Sequence, residues 1–252
     1  MMYKGKKITF KRIASGVKRR IGNIIFKKLF TLWEKLGFHI TRNHFYEPIP
    51  DTRTLKDDLW EKQSELVGID LNEEGQLNIL SLFSSKFKKE YESFPRNKTS
   101  IPYQYYIDNG AFVSVDGEIL YCMVRHFKPK KIFEIGSGNS TYLSAQAILK
   151  NKENNNYECE LVAIDPYPND ILKSGFPGLS KLMPKKAQDI PLSEFKKLRE
   201  NDIIFIDSSH VLKIGSDVQY EYLEILPRLN KGVIVHLHDI FLPAEYPSLL
   251  NS

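Results

Sequence analysis

Four short apolar runs, each ending in an acidic residue, recur through the second half of the chain. They span residues 131–134, Leu161–Asp165, Asp202–Asp207 and Gly232–Asp239. Continuous apolar runs of this length predict strands that are buried on both faces of a parallel sheet. Segments with helical spacing separate the runs. This alternation predicts an α/β protein with a doubly wound, mainly parallel, Rossmann-like sheet.

Apolar residues at helical spacing predict helices before and between the strands. The predicted helices are Asp116–Phe127, Ser140–Leu149 and Asp217–Leu226, with similar spacing inside Leu71–Tyr91. We expect Pro166–Lys186 to be loop and helix, and Ala187–Asp189 to end a short third strand. Pro227 is expected to end or kink the helix before it.

A glycine turn follows the first strand at Gly136 and Gly138, and polar residues then open a helix. Glycine lets the backbone turn sharply and approach a ligand closely, and a helix start offers free N–H groups. This arrangement is typical of a nucleotide-like cofactor site, and Glu134 suits a cofactor with a positive head. Asp165 lies roughly one strand–helix–strand unit downstream, where an acidic side chain binds ribose hydroxyls.

A second polar group combines two acidic residues and two histidines at the ends of the last two predicted strands. The four residues are Asp207, His210, His238 and Asp239. The carboxyl ends of parallel strands meet at one edge of a sheet, so these side chains are expected to lie close together. Three interpretations stay open: a divalent metal site, a histidine base held by a carboxylate, and hydrogen bonding between strand ends.

Five segments together resemble the ordered motifs of class I S-adenosylmethionine-dependent methyltransferases. They are Glu134-Ile-Gly-Ser-Gly, Ile164-Asp165-Pro-Tyr, Gln188-Asp189-Ile-Pro-Leu, Phe205-Ile-Asp207-Ser-Ser-His210 and His238-Asp239-Ile-Phe. The chain is most similar in these motifs to the bacterial group related to macrocin-type and catechol-type O-methyltransferases. The resemblance covers roughly residues 100–248.

The resemblance implies S-adenosylmethionine as cofactor and a small hydroxylated acceptor, a sugar or a secondary metabolite. Gly136 and Gly138 would pass under its methionine part, Asp165 would bind the ribose, and Asp189 would lie beside the adenine. The magnesium-dependent catechol type implies Mg²⁺ held by Asp207, His238 and Asp239, although a histidine at position 238 departs from that pattern.

The same resemblance assigns the catalytic base. His210 stands three residues after Asp207, where the catechol type carries a basic side chain near the acceptor. We therefore expect His210 to be the base and Asp207 to assist it. Tyr103–Phe112 contains three tyrosines, for which stacking on an acceptor and packing in the core both stay open.

Charge and composition limit the remaining function classes. The whole chain carries a net charge of +5. Residues 1–36 hold eleven lysines or arginines and one glutamate, a balance of +10, so the remainder carries −5. Nucleic-acid binding by the core is therefore not expected. Two cysteines, no secretory signal and no long apolar run favour a cytoplasmic protein.

We expect two parts: a basic helical extension with linkers over residues 1–100, and the methyltransferase domain over residues 101–252. The apolar face predicted within residues 10–36 suits an anionic membrane surface, the protein core or a second subunit.

The family core also continues into a helix and an antiparallel strand pair, for which Ser252 leaves no room. The fifth strand would then be an open edge, covered by a homo-oligomer or by the extension. The alternative is a shortened, non-catalytic homologue that acts as a binding or scaffold protein.

Overall fold

The computed structural model describes residues 29–41, 49 and 51–246. The chain divides into two compact units, one formed by residues 64–243 and the other by residues 1–63 with 244–252. In the second unit, residues 29–35 are helical and 3₁₀ turns span Thr52–Thr54 and Asp57–Leu59. Most of the predicted basic helix lies outside the described residues, so its membrane contact stays a prediction. A domain boundary near residue 100 also stays a prediction.

The larger unit contains a five-stranded sheet in which every strand pair is parallel, which confirms the predicted fold class. The strands are β1 (Lys131–Ile135), β2 (Glu160–Ile164), β3 (Lys181–Met183), β4 (Ile203–Ile206) and β5 (Ile234–Leu237). Their order is β3-β2-β1-β4-β5, so β1 is central and β4 lies beside it. Parallel strands place all their carboxyl ends at one edge, where the predicted site residues follow.

Six α-helices of the larger unit connect or precede these strands. They are α1 (Glu73–Tyr91), α2 (Asp116–Phe127), α3 (Asn139–Asn155), α4 (Asp170–Ser174), α5 (Leu192–Phe195) and α6 (Asp217–Tyr220). A π-helical turn (Glu221–Ile225) and a 3₁₀ turn (Leu226–Arg228) continue α6, with Pro227 in the last turn. No helix in the described part of the chain is long and apolar enough to cross a bilayer.

Two apolar cores explain why the strands are mainly apolar. Side chains on one sheet face, such as Ile132 and Phe205, pack with Leu120 and Leu143 from α2 and α3. Alternate strand residues, such as Phe133 and Ile204, pack on the other face with a separate set of helical residues. Because both faces of each central strand are buried, both faces carry mainly apolar residues, and Glu134 of β1 is the buried exception.

Three helices are joined by a buried ionic network. The Arg125 guanidinium on α2 donates to both oxygens of Glu90 on α1, at 2.7 and 2.9 Å. The Tyr121 hydroxyl also donates to Glu90, at 2.8 Å. Arg125 donates further to the side-chain oxygen of Asn151 on α3, whose amide donates to the Val124 carbonyl. Every polar group in this network has a partner.

The third strand lies earlier than predicted. Residues 181–183 pair with Val162–Ile164 of β2, whereas Ala187–Asp189 forms a 3₁₀ turn after the strand. Pairing with a neighbouring strand, rather than apolar content, makes this short segment extended. Within the described residues β5 pairs only with β4. Coverage of its other edge by a second subunit or by the extension stays a prediction.

Candidate functional site

The glycine turn after β1 lies directly against the end of β4. Gly136 has a φ of +86°, and a Cβ there would lie 1.9 Å from the Asp207 carbonyl oxygen. The Gly136 amide donates to the Ile164 carbonyl at 2.9 Å, and the Asp207 amide donates to the Ile135 carbonyl at 2.8 Å. Position 136 therefore requires glycine, and the turn and Asp207 are fixed relative to each other.

The start of α3 is organised by side-chain bonds around the second glycine. Gly138 is extended, and its amide donates to Thr141 Oγ1 at 3.0 Å. The Asn139 side-chain amide donates to Asn109 Oδ1 at 3.1 Å. Asn109 Oδ1 also accepts from the Phe112 amide at 2.8 Å. Asn109 thus joins the segment before α2 to the glycine turn, a role that sequence analysis missed inside the flagged Tyr103–Phe112 segment.

Glu134 is a buried acid behind the turn. Ser140 Oγ donates to Glu134 Oε1 at 2.5 Å, while Oε2 has no partner among the residues that the structure describes. Burial raises the Glu134 pKa to about 8, although hydrogen bonds from Ser140 and Thr141 oppose that shift. A buried carboxyl with one unpaired oxygen is costly alone and is stabilised by a nearby positive charge.

An open cleft of about 550 Å³ lies along the carboxyl ends of the strands. Gly136, Ser137, Asp165, Gln188 and Asp207 are among the residues that line it. Ser137 Oγ donates to Asp165 Oδ2 at 2.7 Å, and the Tyr167 amide donates to Oδ1 at 2.7 Å. These bonds fix the Asp165 carboxylate, and each of its oxygens keeps a further lone pair for a ligand hydroxyl.

Three of the predicted cofactor residues do not line this cleft, and one of them is Glu134, which lies behind the turn. Gly138 follows the turn and leaves open space where a Cβ would stand. Asp189 is exposed, and the cleft is lined instead by its neighbours Ala187 and Gln188. The Gln188 side-chain amide donates to the Gly215 carbonyl at 2.8 Å, which fixes this wall. The structure thus offers Gln188 at the place where the motif suggested Asp189.

The second predicted group does come together, beside this cleft. The ligand atoms of Asp207, His210, His238 and Asp239 all lie within 4.8 Å of one another. His210 Nε2 and His238 Nδ1 each lie 3.1 Å from the same oxygen, Asp207 Oδ1. Asp239 lies 3.7 Å from His210 Nε2 and 3.5 Å from His238 Nδ1. Asp207 also lines the cleft, so the group and the cleft share a wall.

The electrostatics of the group favour charge separation. Burial raises the Asp207 pKa, but hydrogen bonds from His238 and His210 outweigh it, so the pKa is lowered overall. The hydrogen bond to Asp207 raises the His238 pKa to about 8. His210 and Asp239 both have left-handed backbone, with φ of +55° and +53°. Such conformations are uncommon outside glycine and cluster at functional sites.

Sequence analysis missed one charged neighbour of this group and left the role of the tyrosines open. Asp116, the first residue of α2, lies 3.5 Å from His238 Nε2. The Phe112 ring packs on the His238 ring at 5.0 Å. Tyr105 is fully buried with its hydroxyl on the Phe112 carbonyl, and Tyr103 stacks on Phe176. These two tyrosines therefore pack against neighbouring rings and backbone.

Comparison with known proteins fits this geometry. Residues 133–240, which contain the turn and both polar groups, match the family described as a methyltransferase domain. A protein of Archaeoglobus fulgidus, described as uncharacterized, is 31% identical over 193 residues, which covers 73% of this chain and 85% of that protein. The chain belongs to the methyltransferase-domain family. The matched segment of this methyltransferase runs from β1 to the residue after Asp239.

Proposed function

We propose that this methyltransferase uses S-adenosylmethionine to methylate a hydroxyl group of a small acceptor. The observation that carries the proposal is one cleft lined by the Gly136 turn, the fixed Asp165 carboxylate and Asp207, with the rest of the Asp207 group beside it. The turn allows close backbone approach, and Asp165 offers oxygen acceptors to a ribose. A sugar or a secondary metabolite as acceptor, and a cytoplasmic location, are the accompanying proposals from the resemblance and composition.

Buried Glu134 supports a cofactor that carries a positive charge. Its unpaired oxygen lies in a region where charge is costly, and a cationic ligand near the turn would stabilise the ionised form. S-adenosylmethionine, when bound, supplies an electrophilic methyl group on a positively charged sulfur. The protein must then orient the acceptor oxygen and remove its proton.

His210 is the base that this geometry favours. Its Nε2 faces Asp207 Oδ1, so a proton on Nε2 is held there and Nδ1 is left as the acceptor of a proton. Asp207 would stabilise the positive charge that forms on the ring, as a carboxylate does for a histidine base in general. In this proposal the acceptor proton would pass to His210 Nδ1 while the acceptor oxygen forms its bond to the methyl carbon. The sulfur–methyl bond would break at the same time, and its electron pair would stay on the sulfur, which leaves S-adenosylhomocysteine.

Mg²⁺ does not fit the complete predicted ligand set. Asp207 and Asp239 offer carboxylate oxygens, which Mg²⁺ prefers, but His238 offers an imidazole nitrogen. Imidazole ligands suit transition ions such as Mn²⁺, Fe²⁺, Co²⁺ and Zn²⁺ better. No step of the proposed reaction is therefore assigned to Mg²⁺.

Calorimetric titration with S-adenosylmethionine tests the cofactor. We expect the full chain to bind, and Asp165→Ala to weaken binding by roughly tenfold or more because charge-assisted hydrogen bonds are lost. The matched control is Asp170→Ala, which removes an exposed carboxylate on α4 that pairs with Lys173. Absence of binding by folded protein would contradict the proposal and favour a non-catalytic scaffold.

A further inference from the structure

His238 is held in one orientation by its surroundings. Its side chain is only 9% exposed. The Phe112 ring packs on its face at 5.0 Å, and Phe205 lies on the sheet side at 6.4 Å. The two ring nitrogens meet different carboxylates. Nδ1 lies 3.1 Å from Asp207 Oδ1, and Nε2 lies 3.5 Å from Asp116 Oδ2.

The two nitrogens of a metal-binding histidine have different roles. A metal-binding histidine uses one deprotonated nitrogen, and its other N–H commonly donates to a carboxylate that fixes the tautomer and the ring. Nδ1 of His238 faces the side where Asp207 and Asp239 present their oxygens. Nε2 faces away from that pair, toward the start of α2.

We propose that Asp116 is a positioning residue that holds the Nε2–H of His238, so that Nδ1 joins Asp207 and Asp239 in binding a divalent transition ion. This proposal rests on the proposed function in one respect, which is that the metal would lie beside the reacting hydroxyl. One nitrogen and two carboxylates form a donor set that Mn²⁺, Fe²⁺, Co²⁺ or Zn²⁺ accepts more readily than Mg²⁺ does.

A simpler role for Asp116 is stabilisation of the start of α2, because an acid in the first helical turn interacts favourably with the helix dipole. Glu118 lies in the same first turn and provides the matched control. Its carboxylate accepts a hydrogen bond from Ser114 and belongs to no ion pair among the described residues. A helix-terminus effect would make Asp116→Asn and Glu118→Gln behave alike, whereas a positioning role separates them.

The test is titration of the full chain with Co²⁺, whose visible absorption reports binding and coordination directly. At one pH near neutrality we expect wild type and Glu118→Gln to bind Co²⁺ equally. Asp116→Asn should bind about 10- to 100-fold more weakly, the usual cost of losing a carboxylate partner of a ligating histidine. Mn²⁺ should compete with Co²⁺ at lower concentration than Mg²⁺ does.

Nitrogen NMR of the Zn²⁺-loaded protein provides a second readout that is independent of methyl transfer. We expect His238 to bind through Nδ1 and to show a slowly exchanging Nε2–H in wild type, with faster exchange in Asp116→Asn. Equal Co²⁺ affinity of the two variants, or ligation through Nε2, would overturn the inference. Cofactor binding without binding of any of these ions would also overturn it while leaving the proposed methyl transfer intact.

Discussion

The two ends of α2 lie in two different ionic networks. Near its last turn, Arg125 binds Glu90 with both oxygens engaged, and Tyr121 and Asn151 complete the set. At the other end, the first residue of the helix, Asp116, lies close to His238. There the ring nitrogens of two histidines contact the same oxygen of Asp207. The Arg125 network is largely buried, whereas the Asp207 group is only partly buried. Both alter pKa values: the pKa of Glu90 is lowered, as is that of Asp207.

The two networks differ in how much of their hydrogen-bonding capacity is used, and not in whether their pKa values are shifted. The Arg125 network pairs one cation with one anion, and within the described part of the chain its side chains form hydrogen bonds only with one another and with backbone. The Asp207 group keeps lone pairs available and shares a wall with the cleft. A perturbed pKa therefore marks both a structural and a candidate catalytic network, and unused bonding capacity beside a cleft is what separates them.

The largest expected effect is on catalysis, from His210→Ala. We expect the turnover number for methyl transfer to fall by roughly 10²–10⁴-fold, as for loss of a general base. The free energy of unfolding should change by less than about 1 kcal/mol, because the ring is partly exposed and its contacts with Asp207 and Asp239 are of the kind that contribute little near the surface. Single-turnover methyl transfer and urea unfolding measure both. Full turnover in the variant would remove the assignment of His210 as base.

Arg125→Met should show the opposite behaviour. It leaves the Glu90 carboxylate without its cation, and the Arg125 side chain is only 5% exposed. We expect a loss of about 3 kcal/mol in unfolding free energy, at the lower end for a broken buried pair because Glu90 is partly exposed. Cofactor affinity of the folded fraction should be unchanged.

The matched control for this variant is Arg228→Met, since Arg228 and Glu224 form an exposed pair. Loss of that pair should cost less than about 1 kcal/mol. If Arg125→Met abolished cofactor binding without lowering stability, the division between a structural and a functional network would fail.

Glu134→Gln should have two smaller effects of opposite sign: it should raise stability and weaken cofactor binding. Burial raises the Glu134 pKa from 4.5 to about 8. Between those values the folded protein keeps a proton that the unfolded chain has released, so stability falls as pH rises through the window. Glutamine cannot ionise, so we expect the variant to gain on the order of 2 kcal/mol over wild type near the upper limit, and little below the lower one.

The same substitution should weaken binding of S-adenosylmethionine by roughly tenfold, because a cation loses its buried counter-charge. Unfolding free energies at both ends of the pH window, with calorimetry at one pH, measure the two effects. A variant that is less stable than wild type at every pH, or that binds the cofactor equally well, would contradict the proposed role of Glu134.

The sheet was predictable because its signal is local. β1, β2, β4 and β5 are mainly apolar runs, and α2 occupies the predicted residues Asp116–Phe127. β3 was misplaced because its three residues, Lys181–Met183, contain too little apolar sequence to mark a strand. Their conformation comes from pairing with β2, a contact that periodicity cannot show.

The candidate site was predictable as a set of residues but not as a geometry. The motif order placed Asp207, His210, His238 and Asp239 at neighbouring strand ends, and they do meet. Asp116 was missed because the start of α2 approaches the end of β5 only in the folded chain. For the same reason the sequence could not show that Gln188 lines the cleft while Asp189 does not.

The strand order also dictates when the site can exist during synthesis. The Lys131 amide at the start of β1 donates to the carboxylate of Asp202, 71 residues away, and Gly136 has no partner turn until Asp207 is made. In a chain emerging from the ribosome, the glycine turn is therefore made early, before the segment around Asp207 against which it packs. Contacts of such long range form slowly, so we expect the cofactor cleft to form only after β4 has been released.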